Sequence, residues 1–229
     1  MVDVDMFLEI IEIGLQEYRD FVLRRLGLKR IRPWMKYKEI EIIKEILINL
    51  KPRKCLEWGA GYSTLYFPRF TDCEWIAIEH DEEWFKKLKD LINRDPRVRI
   101  YFVPPNNYPW SDPYGDGGYE DLRDYIEFPG KLGKFDFILI DGRARRYCLI
   151  KAYEVLNDYG VVVLHDANRE YYHEPFKLYQ EQILFNDYRK GEGGLWIGSK
   201  KLKISTVLDI EKHIKIWEFI NEYLRFLKL

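Results

Sequence analysis

Cys55-Leu56-Glu57-Trp58-Gly59-Ala60-Gly61-Tyr62-Ser63-Thr64-Leu65 is the stretch that decides the fold of this chain. A short apolar run ends in two glycines, and a segment of helical character follows. That order reads as strand, tight turn and helix, the opening unit of a parallel sheet covered by helices. Glycine at 59 and 61 permits positive φ and close approach of the backbone to a ligand. Ser63 or Thr64 is placed to cap the next helix, whose amides favour a carboxylate, and Glu57 is placed to meet an ammonium group.

Working outward, short apolar runs alternate with amphipathic segments. The pattern predicts strands over 54–58, 75–79, 98–103, 135–140 and 161–165, with helices near 63–69, 82–93 and 144–157. Right-handed crossovers build from these a Rossmann-like, doubly wound α/β sheet. A helix is expected after His165, then the run Ile183 to Phe185 and the run Gly193-Gly194-Leu195-Trp196-Ile197-Gly198, paired antiparallel through a loop around 189–192. The result is a seven-stranded, mostly parallel sheet with an antiparallel edge.

Before the first strand, Phe7, Ile10, Ile11, Tyr18, Phe21 and Val22 recur at helical spacing, and Ile40, Ile43, Leu47 and Leu50 do so after Pro33. These N-terminal helices make residues 1–50 a helical extension to a domain over 51–229. The first helix reads as a flap packed on the domain, a homodimer contact or a membrane-surface element. A last helix is expected over 208–227, from Ile210, Ile214, Trp217, Ile220 and Leu224. Residues 104–134 break the rhythm with prolines, glycines and the aromatics Tyr108, Trp110, Tyr114, Tyr119 and Tyr125, which reads as a packed lid with one short helix.

Composition narrows the function. The chain has 229 residues, and Lys plus Arg (37) balance Asp plus Glu (38), so it lacks the basic field of a nucleic-acid binder. Cys55, Cys73 and Cys148 follow no paired spacing, which fits a reducing compartment. No stretch approaches the roughly 20 apolar residues of a membrane span, and the start carries Asp3, Asp5 and Glu9 rather than a basic leader, so a cytoplasmic protein is expected.

Glu79 closes the second strand, 22 positions beyond Glu57 and near the spacing at which an acidic residue accepts both ribose hydroxyls. Together with the turn it suits an adenosine joined to an amino acid. A nicotinamide dinucleotide falls behind, because its fingerprint needs a third glycine where Thr64 stands.

Residues 55–65 resemble motif I of class I S-adenosylmethionine-dependent methyltransferases in its E-x-G-x-G-x-S-T form. Ala77-Ile78-Glu79-His80-Asp81-Glu82-Glu83-Trp84 resembles the acidic second-strand motif of that family, and Phe135-Asp136-Phe137-Ile138-Leu139-Ile140-Asp141-Gly142-Arg143 its fourth-strand motif. The resemblance spans roughly residues 53–168. It implies S-adenosylmethionine as cofactor, with Gly59 and Gly61 bordering the methionine part, Ser63 and Thr64 near its carboxylate, Glu79 on the ribose and His80 beside the adenosine. Asn106 is the candidate for the adenine.

Methyl transfer to a hydroxyl needs positioning and a base. Asp141, His165 and Asp166 end the fourth and fifth strands on the cofactor side, so they are the candidate catalytic residues, with Asp141 also at the cofactor. Asp141 and Asp166, with Asn168, resemble the magnesium ligands of metal-dependent O-methyltransferases, while His165 suits a metal-free base. Arg143, Arg145 and Arg146 form either an anion site for the acceptor or a solvated helix start. The expected activity is O-methylation of a small molecule or saccharide. Methylation of protein or nucleic acid, and a non-catalytic cofactor-binding scaffold, are the alternatives.

Overall fold

The computed structural model describes residues 4–28, 31–92, 95–188 and 192–224. Its strands are β1 Lys54–Trp58, β2 Glu74–Glu79, β3 Val98–Phe102, β4 Phe135–Ile140, β5 Leu156–His165, β6 Glu181–Phe185 and β7 Leu195–Ser199. They stand in one sheet in the order β3-β2-β1-β4-β5-β7-β6. Strands β1 to β5 pair in parallel, and β7 runs antiparallel to both β5 and β6. The chain therefore has the Rossmann-like sheet with an antiparallel edge that its sequence pattern predicts.

Helices α1 Val4–Arg25, α2 Tyr37–Leu50, α3 Tyr62–Tyr66, α4 Glu82–Ile92, α5 Arg123–Glu127, α6 Arg145–Val155 and α7 Ile210–Phe219 flank the sheet. The central strands bury both faces, which is why their sequences are continuous apolar runs and not alternating ones. On one face, Ile43 and Leu47 of α2 and Trp217 of α7 pack with Trp75, Phe137 and Val163. On the other, Leu56, Trp58, Ile138 and Leu164 meet Tyr125 of α5 and Leu149 of α6. The first fifty residues thus share a core with the sheet.

Several elements differ from their sequence-based expectation. Strand β5 starts at Leu156 instead of 161, because α6 stops at Val155 and Gly160 lets the strand pass close to its neighbour: a Cβ there would lie 2.8 Å from the Asp136 carbonyl oxygen. The helix expected after His165 is two short 3-10 turns, Glu170–Tyr172 and Glu174–Leu178, since Pro175 in mid-segment cannot continue a helix. Helix α7 passes into a wide turn at Ile220–Leu224, and the rest of the expected helix, like residues 189–191 of the loop before β7, lies outside the described residues. Helix α1 is rotated from the face predicted for it. Met6, Ile10 and Ile13 enter the core, whereas Phe7, Ile11, Tyr18 and Phe21 are exposed.

Two buried contacts fix the N-terminal segment. Lys38 places Nζ 3.1 Å from Asp187 Oδ2, donates to Asn221 Oδ1 at 2.7 Å and lies 4.1 Å from the Trp217 ring, so α2 is clasped from three places late in the chain. Arg32 pairs with Asp20 of α1 and stacks on Tyr37, whose hydroxyl donates to Asp20 Oδ2. All three cysteines are free thiols, and the Sγ atoms of Cys55 and Cys73 are 3.2 Å apart despite their unpaired sequence spacing. Among the described residues no helix is long and apolar enough to cross a membrane.

Candidate active site

In an open α/β sheet the ligand crevice opens beyond the carboxyl ends of the strands where strand order reverses, here between β1 and β4. Gly59 and Asp141 meet at that point. Gly59 has φ +88°, its amide donates to the Ile78 carbonyl, and the Asp141 amide donates to the Trp58 carbonyl. A Cβ on Gly59 would lie 2.3 Å from Gly142 Cα, so this glycine is demanded by the neighbouring β4 turn as well as by backbone conformation. Gly61 is different. Its φ of -158° suits any residue, and a Cβ would meet Ser63 alone, at 3.3 Å from Oγ and 3.9 Å from the amide nitrogen.

The polar residues of the turn face inward. Ser63 donates to Glu57 Oε1 and Trp75 Nε1 donates to Glu57 Oε2 at 2.8 Å. Glu57 is fully buried, and that burial pushes its carboxyl up to about 7 against the pull of these donors. Thr64 Oγ1 accepts the Gly61 amide at 2.9 Å. The side chains of Glu57, Ser63 and Thr64 therefore brace the turn.

Glu79 is placed differently. Its Oε1 accepts the amides of His80 and Asp81 at 2.9 and 2.8 Å, while Oε2 accepts no donor among the described residues. His80 lies beside it, Nδ1 3.0 Å from Glu79 Oε1, with its ring against Trp110 and Tyr125 at 5.9 and 5.6 Å between centroids. Trp110 comes from the segment 104–134 and carries the Arg143 guanidinium at 5.6 Å. That segment is a packed lid: Asp121 accepts the Ser111 and Gly118 amides, and Asp116 accepts the Arg145 amide. Asn106, the candidate for the adenine, is exposed and accepts the Asp124 amide at the start of α5. Trp110 occupies the position beside His80 instead.

At the ends of β4 and β5, His165 joins two carboxylates. Its Nδ1 is 2.8 Å from Asp141 Oδ1 and its Nε2 is 3.2 Å from Glu39 Oε2. Burial alone lowers the imidazole, but the Coulombic pull of Asp141 and Glu39 outweighs it and holds His165 well above its usual value. Each ring nitrogen thus faces one carboxylate oxygen. Glu39, at the start of α2, also accepts the Lys36 amide at 2.7 Å.

Asp166 is engaged on both carboxylate oxygens. It sits at φ +57°, its Oδ1 accepts the Gly193 amide at 2.9 Å, and Oδ2 lies 3.3 Å from Arg145 Nη1 and 3.5 Å from Arg169 Nη2. Burial raises its carboxyl, yet His165, Arg145 and the Gly193 amide bring it down to about 2, leaving little proton affinity. Arg145 also reaches Asp141 Oδ1 at 3.2 Å and donates to the Gly142 and His165 carbonyls. The magnesium expectation fails here: a buried guanidinium already bridges Asp141 and Asp166, and Asn168 is spent on the backbone of Asp187 and Glu192. Among the described residues no group of three or more His, Cys, Asp or Glu is arranged to hold a metal ion. Arg145 is also neither an acceptor-binding nor a solvated arginine, since Ala144 at φ +51° turns it inward.

A cavity of 980 Å³ opens beside this cluster. His165, Asp166 and Glu39 form its floor, and Glu17, Asp20, Arg32 and Lys36 one wall. Trp34, Tyr62 and Trp84 form the other wall, packed on one another at 5.6 to 6.3 Å, with Trp84 Nε1 donating to the Ala60 carbonyl at 2.7 Å. None of Glu39, Arg32, Trp34 or Trp84 stands out in the sequence. Only Glu39 leaves a trace, three positions after the N-cap Lys36, and the capping signature is weak without Ser or Thr at that cap.

No family model matches the sequence, and no curated protein matches it. Solved structures do match by fold. A methyltransferase-like protein from Silicibacter pomeroyi superposes with a TM-score of 0.53 at 17% identity, over 82% of this chain and 98% of that one. The O-methyltransferase TomG from Streptomyces achromogenes, solved in complex with S-adenosylmethionine, gives 0.51 at 14% identity over 77% and 85%. Spermidine synthase from Thermotoga maritima gives 0.51 at 16% identity over 77% of this chain, which spans 62% of that enzyme. The fold of this chain is the one that class I S-adenosylmethionine-dependent methyltransferases share with spermidine synthase.

Proposed function

We propose that this chain is an S-adenosylmethionine-dependent methyltransferase that methylates an oxygen of a small molecule or saccharide, with residues 51–229 as the transferase domain and 1–50 as a helical extension that walls its acceptor pocket. The carrying observation is Glu79: one carboxylate oxygen is fixed by two amides and the other faces no protein donor, a preorganised acceptor for the paired hydroxyls of a ribose. His80 and Trp110 flank the adenosine, and the Gly59–Gly61 turn admits the methionine part. The amino-acid end meets this turn through backbone, because Glu57, Ser63 and Thr64 are engaged within the protein.

S-adenosylmethionine, when bound, supplies a methyl group on a sulfonium. The chain positions the acceptor in the cavity and takes its proton. Asp141, His165 and Glu39 form a chain with two carboxylates and one imidazolium, a net negative charge that takes up the acceptor proton on a carboxylate while His165 stays charged between them. No metal is used in this reading, because Arg145 provides the cation between Asp141 and Asp166.

Calorimetry with S-adenosylmethionine and S-adenosylhomocysteine tests the reading, followed by a screen of phenolic, carboxylated and sugar acceptors for release of S-adenosylhomocysteine. Binding of both, and its loss in Glu79→Ala, is expected. Wild-type protein that binds neither overturns the assignment.

A further inference from the structure

Cys55 and Cys73 are 18 positions apart in sequence, and both are buried in one core cluster. In the parallel register of β1 and β2, Cys55 stands opposite Trp75, and Cys73 lies in the bend that enters β2, two residues before Trp75. Backbone contacts pin that bend from both sides. The Glu74 amide donates to the Arg53 carbonyl at 2.9 Å, and Arg97, just before β3, donates to the Thr71 carbonyl at 2.8 Å. Within this frame the two Sγ atoms are 3.2 Å apart. Bringing them to a bond of about 2.0 Å asks for a movement of side chains and not of strands.

The two thiols are unlike. Burial pushes Cys55 well above the usual thiol value. Cys73 is held below it by the hydrogen bond shared with Cys55, by Thr71 and by the charge of Arg97, against its burial and the charge of Asp72. Cys73 is also the outer of the pair, following Asp72, whose side chain is 98% exposed. Exchange needs such an arrangement, an outer sulfur that attacks and an inner one that resolves. Cys148 belongs to the other core cluster, 3.4 Å from the Arg143 carbonyl, and is remote from this contact.

We propose that Cys55 and Cys73 form a reversible disulfide by exchange with a small-molecule disulfide. The Cys73 thiolate attacks one sulfur of that molecule, whose S–S bond breaks and releases the first thiol. Cys55 loses its proton and attacks Cys73 Sγ, which breaks the mixed disulfide and releases the second. Two protein thiols are oxidised, one external disulfide is reduced, and the two protein protons end on the released thiols. The ring so closed runs from residue 55 to 73 and takes in the Gly59 turn and α3, so the oxidised protein holds its first βα unit in a covalent loop.

Intact-mass spectrometry tests this on the full chain equilibrated, well below its melting temperature, with mixtures of reduced and oxidised glutathione, then acid-quenched, unfolded and alkylated with N-ethylmaleimide. All three cysteines are expected to be alkylated after the reducing mixtures and Cys148 alone after the oxidising ones, with a peptide joining Cys55 to Cys73 and full recovery in dithiothreitol. The oxidised protein is expected to melt about 5–10 °C above the reduced one, a rise absent from Cys73→Ala. Cys55→Ser is expected to retain one glutathione on Cys73. Three alkylated cysteines in every mixture overturn the proposal, as does a link through Cys148 or a wild-type protein that keeps glutathione on Cys73. So does a linked protein that melts no higher than the reduced one, or a Cys55→Ser protein that takes up no glutathione.

Discussion

His165 and Glu39 are 126 positions apart in sequence and 3.2 Å apart in the structure. This contact ties the end of β5 to the start of α2 and, with Asp141 on the other ring nitrogen, raises the imidazole above its usual value. A histidine raised in the folded state stabilises fully below its unfolded value near about 6.5, and that contribution is lost as pH rises through the folded value. Wild-type protein is therefore expected to lose stability relative to Glu39→Gln as pH is raised above neutral. An NMR titration of the histidine ring, with His165→Asn to assign it, should show the His165 midpoint falling in Glu39→Gln. An unchanged midpoint counts against the contact.

Removing Arg145 leaves two carboxylates without their buried cation. Arg145→Met is expected to cost about 3–5 kcal/mol in urea unfolding, the usual consequence of breaking a buried pair from one side. A loss below about 1 kcal/mol, a surface-pair value, would contradict the bridge.

The same bridge predicts indifference to divalent cations. Extensive chelation should leave S-adenosylhomocysteine affinity and methyl transfer unchanged, and millimolar magnesium should not raise the melting temperature, since an ion that binds only the folded state must do so. A magnesium-dependent rise would show that the guanidinium is displaced.

The two glycines of the first turn should respond differently to alanine. Gly59→Ala forces a Cβ against Gly142 at positive φ and is expected to destabilise the protein strongly. Gly61→Ala should fold with little loss, because its extended backbone suits any residue, and is expected to lose affinity for S-adenosylmethionine, because the added methyl group narrows the turn that the proposed methionine part approaches. Thermal melts alongside calorimetry separate the two, and equal stability losses would remove the distinction.

Glu79→Gln keeps the size of the side chain and one acceptor oxygen but removes its charge. A hydrogen bond to a charged group is worth about 1.5–3 kcal/mol, so affinity for S-adenosylhomocysteine should fall by roughly ten- to a hundredfold. A change under twofold by calorimetry would take the ribose away from Glu79.

The sheet, its order of elements and the Glu79 position were legible because each is local: apolar runs declare strands, and a carboxylate at a strand end needs no distant partner. The inward aim of Glu57 was not, since it depends on Trp75 one strand away. Three arginines at 143, 145 and 146 look equivalent in sequence, and only the left-handed turn at Ala144 sends the middle one into the core. The lining of the cavity was hidden for the same reason: Arg32, Trp34, Glu39 and Trp84 converge through tertiary packing that no spacing rule encodes.

Lys38 carries one more implication. It sits next to Glu39 in sequence, and its three partners are Asp187, Trp217 and Asn221. A growing chain emerges amino end first, so β1 to β4 are synthesised while α2 still lacks the groups that clasp it. The cavity wall that α2 supplies is then fixed only by residues that lie beyond β6 in the chain, so a chain truncated before Asp187 lacks every group that clasps Lys38.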